Sequence, residues 1–172
     1  MKKVVAVIGA GILALALYTA HRLVPRHVSL TVHGIQFAAN RPFLPTKHVT
    51  LQLNGTVRGS LWGKRVFQGT VSVHGATEPN RDNTRSVAVV FNPSMGGEIL
   101  YWSWKTQTYY DYGEMFANPG FNNFAVLEYR SAQHGWTENG GLVIAAPAQT
   151  RSQAVALANH LAQSQWGHIH LK

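Results

Sequence analysis

The chain has 172 residues, 45% hydrophobic and 13% charged, with 15 Lys and Arg against 7 Asp and Glu. That composition belongs to a folded chain with room for one domain plus an appendage, and it excludes a disordered one. Cysteine is absent, which excludes a disulfide framework, thiolate catalysis and thiolate metal sites.

Lys2 and Lys3 precede an uncharged run of 17 residues, Val4 to Ala20. Such a run is at the short end for a spanning helix, and Leu23 and Val24 can lengthen it past His21 and Arg22. A cleaved signal peptide competes, but Tyr18 stands where a small residue is wanted before a cut at Ala20. The expectation is therefore an uncleaved signal anchor over residues 1–26, a transmembrane helix with its flanks. The charge at the extreme N-terminus slightly exceeds Arg22 plus Arg26, which places the N-terminus inside and the domain outside. Gly9, Gly11 and Ala14 imitate a dinucleotide-binding turn, but that turn needs an acid some 20 residues on. The first acid is Glu78, so no nucleotide and no other cofactor is expected.

Residues 27–172 read as an extracytoplasmic β-rich domain. Val28, Leu30 and Val32 alternate with polar neighbours, as in a half-buried strand. Pro42 and Pro45 punctuate a loop over 40–46. Strands over 49–54 and 67–74 pair either as a hairpin or around a short extra strand near 56–62. Ala76 to Arg85 is a polar loop. Strands are expected over 87–91, 98–104, 112–117, 124–129 and 142–146. The only helix pattern in the domain follows Thr150-Arg151-Ser152-Gln153, which has capping-box spacing, and places Ala154, Leu157, Ala158 and Leu161 on one stripe. The fold class is thus α+β or mainly β: an antiparallel sheet of about seven strands with one C-terminal amphipathic helix.

Chemistry is sparsely marked. His168 and His170 would share a face of a strand, the geometry of a metal pair, but no third ligand is nominated, and a wet edge strand explains them as well. The acids Glu78, Asp82, Glu98, Asp111, Glu114, Glu128 and Glu138 are spread along the chain, and Ser94 and Ser103 lie in no nucleophile elbow. No catalytic residue is nominated. The strongest local oddity is a run of seven aromatics within 16 residues, Tyr101 to Phe116. Among them Trp102, Trp104, Tyr109, Tyr110 and Tyr112 form either core packing or a ligand surface for sugars or lipid headgroups.

Leu53-Asn54-Gly55-Thr56, Phe67-Gln68-Gly69, the hairpin from Tyr112 to Glu128, and Trp136 leading to Gly141 through Ala148 form a pattern, closed by Arg151-Ser152-Gln153-Ala154. In these motifs the stretch from Val49 to Leu161 resembles a loose set of small membrane- or lipid-anchored bacterial proteins. The resemblance implies an extracytoplasmic location and carries over no functional residue. The expected function is a non-enzymatic binding module at the cell envelope. Its partner would be an anionic envelope polymer, a peptide or a membrane protein, and not nucleic acid. A small surface hydrolase and an accessory subunit packing on another membrane protein are the alternatives.

Overall fold

The computed structural model describes residue 11 and residues 18–19, 23–76, 86–92, 96–103, 107–129, 135–163 and 170–172; for Ser86, Trp102, Ser103 and Thr108 it describes the backbone. Most of the expected membrane helix, Val4 to Ala20, lies outside the described residues. Among those described, no helix is long and apolar enough to cross a membrane.

Among the described residues from Arg26 onward, eight strands and then a helix follow in chain order: β1 (Arg26–Ala38), β2 (Lys47–Gly59), β3 (Arg65–His74), β4 (Ser86–Phe91), β5 (Gly96–Ser103), β6 (Thr108–Ala117), β7 (Phe124–Glu128), β8 (Leu142–Ala146) and α1 (Arg151–Ala162). All pairings are antiparallel, in the order β4-β3-β2-β1-β8-β7-β6-β5. The count exceeds the expected seven. No extra strand separates β2 from β3: they pair directly from Gly59 opposite Arg65 to Thr50 opposite His74.

The two edge strands, β4 and β5, are consecutive in the chain and meet at its turn. Asn92 N–H donates to Gly96 O at 3.2 Å. A Cβ on Gly97 would lie 2.7 Å from Val89 Cγ1 and 2.9 Å from the Val90 carbonyl oxygen, so only glycine permits this approach. The sheet is thereby wound into a near-barrel. Its interior is filled by Leu51, Leu53, Phe67, Val71, Val89, Ile99, Tyr101 and Phe124, among others.

A second apolar layer lies outside the barrel. Ala154, Ala158 and Leu161 of α1 pack with Ile35, Phe37, Ala125, Leu127, Val143 and Ala145. The small helix residues allow close approach to the sheet, and Leu157 sits only partly buried beside them. Residues 35–38, β7 and β8 are consequently buried on both faces; apart from Gln36 and Glu128, whose side chains bond each other, they are apolar without a polar outer side. The helix starts as its cap predicts, with Gln153 N–H donating to Thr150 Oγ1 at 3.3 Å. The returning Gln153 side chain accepts from Gln149 N–H at 2.9 Å, one residue ahead of the expected partner.

One irregularity shapes the rest. Ile99 pairs with Gly113 but Leu100 pairs with Asp111, so Tyr112 is an extra residue bulged from β6. Gly113 takes φ +147°, and a Cβ there would stand 2.0 Å from the Leu127 carbonyl oxygen. The strand therefore starts earlier than the expected 112, because alternation is broken where the bulge inserts a residue. Replacing Gly113 with alanine should destabilise the domain by about 3 kcal/mol, read as a lower urea midpoint. An unchanged midpoint would show that the bulge is not held as described.

Candidate functional site

The bulge decides which side chains of β6 face out. In a regular strand residues three apart point to opposite faces. The extra residue instead puts Asp111 and Glu114 on the same outer wall, while Tyr112 turns into the barrel. Glu114 lies directly opposite Glu98 of β5, and Asp111 is opposite Leu100. Three of the chain's seven acids thus gather on one wall.

Beside them runs a groove of about 410 Å³ over β4, β5 and β6. Ala88, Val90 and Leu100 give it apolar walls, and Asn92, Glu98, Glu114 and Tyr129 give it polar ones. Burial, and then the charge of Glu98, push the Asp111 carboxyl up to about 6, although Gly113 N–H donates to its Oδ1 at 3.0 Å and pulls the other way. Glu114 is raised too, by burial first and then by Glu98 and Asp111. The Tyr129 phenol is pushed up to about 12 by burial and by the same three carboxylates. Chemically, the wall can hold and release a proton near pH 6 and can attract a cationic group.

The expected aromatic surface divides. Tyr109 is 67% exposed and Tyr110 is also exposed. Tyr112, expected on that surface, is only 1% exposed and belongs to the core instead. The Trp102 side chain and the whole of Trp104 lie outside the described residues, as does His168. His170 is exposed, and among the described residues no group of three or more His, Asp or Glu is placed to hold a metal ion. The convergence of Glu98, Asp111 and Glu114 was not anticipated from sequence. Its one linear signal is the odd spacing from 111 to 114, which points to a common face only once the bulge is known.

Inside the barrel, the bulged Tyr112 donates its hydroxyl to Glu128 Oε1 at 2.7 Å. Gln36 Nε2 donates to Glu128 Oε2, joining β1 to β7. Glu128 is 2% exposed, and burial followed by its charge raises the Tyr112 phenol. Tyr101 packs edge-on against Tyr112, centroids 6.1 Å apart, and donates to the Val71 carbonyl at 2.7 Å. This network is structural: it lies within the core and not along the groove.

Two measurements test these assignments. Because Asp111 is raised in the fold from its ordinary 3.8, the native state binds more protons than the unfolded chain between about pH 4 and pH 6. Its carboxyl therefore favours folding most at low pH, and that contribution is lost as pH rises through about 6. Asp111→Asn should gain thermal stability relative to the parent near neutrality, with the gap shrinking toward pH 4; a pH-independent gap would refute the assignment. Glu128→Ala should cost about 3 kcal/mol, since Gln36 and Tyr112 both lose this acceptor, whereas Glu128→Gln keeps one and costs less. Equal midpoints for the two variants would contradict the network.

No family model, curated protein or solved structure matches this chain, so its own residues carry what can be said of its function.

Proposed function

We propose that the chain is a membrane-anchored extracytoplasmic binding module that takes a cationic, extended segment of a partner along the outer wall of β4, β5 and β6. The observation that carries this is the groove itself. It combines apolar walls from Val90 and Leu100 with carboxylates from Glu98 and Glu114, on a chain of net charge +8. Gathering acids on a basic molecule costs stability through like-charge repulsion, and a positively charged occupant relieves it. The wall also lies clear of α1, since the helix packs over β1, β8, β7 and the Phe116 end of β6. Tyr109, on the same side of β6 as Asp111, extends the exposed surface beyond the groove. An anionic polymer does not suit this wall and would have to meet the basic surface elsewhere.

The anchor half of the proposal rests on the uncharged run Val4 to Ala20 with its basic flanks. An accessory role beside another membrane protein is compatible with the same groove, with a basic loop or strand of that protein as the occupant.

The test uses the full chain in nanodiscs and a fluorescent peptide alternating lysine and leucine, with a glutamate-for-lysine peptide as comparison. The lysine peptide should bind, and Glu98→Gln combined with Glu114→Gln should weaken it about tenfold, the loss shrinking at high salt. Equal binding of both peptides, or no change in the double variant, would count decisively against the groove as the binding wall.

A further inference from the structure

We propose that the end of the barrel where β1 begins lies on the bilayer, with Leu61 and Trp62 seated in the headgroup layer of a membrane that contains anionic lipid. The proposal rests on the anchor reading of Val4 to Ala20 and adds to it a lipid-binding surface on the domain itself.

Four stretches of chain meet at this end: 24–28, 58–66, the described ends of the β4–β5 link (91–92 and 96–97), and 117–124. Register brings them together, with Arg26 opposite Val57, Gly59 opposite Arg65, and Arg65 opposite Phe91. Arg65 ties in the fourth by donating to the Asn118 and Ala117 carbonyls at 2.9 and 3.0 Å, its guanidinium 5.0 Å from the Phe121 ring centroid. None of the four stretches contains an Asp or Glu, whereas they hold Arg26, Arg58, Lys64 and Arg65. Of these cations Arg65 is committed to the turn, while Arg26, Arg58 and Lys64 are exposed. The turns at this end thus carry cations and no acid, the first acid of β5 being Glu98 on the adjoining side wall, and they attract phosphate headgroups within a Debye length.

The apolar part is equally specific. The β2–β3 turn is closed by Ser60 N–H to Lys64 O at 2.8 Å and Gly63 N–H to Ser60 O at 3.2 Å. It holds Trp62 86% exposed, with Leu61 beside it also exposed. Leu23 and Val24, immediately before β1, are exposed as well. A tryptophan and a leucine on a preformed turn bind an interface with little further ordering, and tryptophan favours the headgroup level. Phe43, on the β1–β2 turn, is 98% exposed, but it lies beyond the far end of the 13-residue β1. At roughly 3.4 Å per residue, that is about 40 Å from the point where the anchor joins. One end of the barrel can lie on the membrane that holds the anchor, and chain connectivity selects the Trp62 end.

The absence of native cysteine allows clean labelling. Full-length Leu61→Cys and Phe43→Cys, each carrying an environment-sensitive dye, would be reconstituted into phosphatidylcholine vesicles with and without phosphatidylglycerol. Flotation of the labelled chain is scored alongside. The expected result is flotation, with the dye at position 61 several-fold less accessible to aqueous iodide than the dye at position 43, and more so with phosphatidylglycerol. Trp62→Ser combined with Lys64→Gln should restore access at 61 without stopping flotation. Flotation with equal access at both positions, or with position 43 the shielded one, overturns this proposal and leaves the anchor standing. Shielding at 61 that ignores phosphatidylglycerol overturns the anionic-lipid part. A chain that does not float overturns both.

Discussion

The extra residue in β6 is the constraint on which the rest of the domain depends. A β-strand gives alternate residues to alternate faces, and one inserted residue reverses that assignment for everything beyond it. Here the reversal serves both sides of the sheet at once. Inward, it delivers the Tyr112 hydroxyl to the buried Glu128 carboxylate. Outward, it sets Asp111 on the wall already occupied by Glu98 and Glu114. Gly113 makes this feasible, because its φ of +147° and its contact with the Leu127 carbonyl leave no room for a side chain. Core and groove are therefore not independent: the same backbone detour positions a residue in each.

The distribution of charge follows from how the barrel is covered. The helix lies over the strands at the middle of the sheet order, so the wall near the two edge strands stays open to solvent. The turns at the end where β1 begins carry cations without acids, while three acids sit on the side wall. A domain resting on lipid by that end would leave its side wall, which starts at Asn92 and runs up β4, β5 and β6, open to a partner from the side. Lipid attachment and partner binding would then use adjoining surfaces of opposite sign that meet at Asn92 and Gly96.

Much of the architecture was legible in the residues. Alternation located the half-buried strands such as β2 and β3, and the Thr150–Gln153 spacing located the helix start. Where alternation failed, the cause is physical. Residues 35–38 are covered on both faces, with even Gln36 buried, so the polar-out alternation of residues 27–33 stops there, which hid the second half of β1. The bulge disguised the beginning of β6 and the burial of Tyr112, because a period of two does not survive an inserted residue. The acidic wall was illegible for a related reason. Glu98 and Glu114 are 16 positions apart and meet only through strand pairing, which a linear pattern does not encode.

The position of β8 has a consequence for how the chain reaches this state. The inner half of β1 is completed only when Ile35 to Ala38 pair with Leu142 to Ala145, more than a hundred residues later. Until then Ile35 is paired on its β2 side, opposite His48, but Ile35 and Phe37 lack their β8 neighbours and the helix that covers them. A chain emerging N-terminus first can pair β1 with β2 early, but must hold the other edge of β1 in waiting until nearly the whole sequence has been made. Such long-range closure slows folding and lengthens the exposure of an unpaired, apolar edge. Of all the strands, β1 is thus the one with most need of shelter during synthesis, and β8 with its helix acts as the clasp that ends that need.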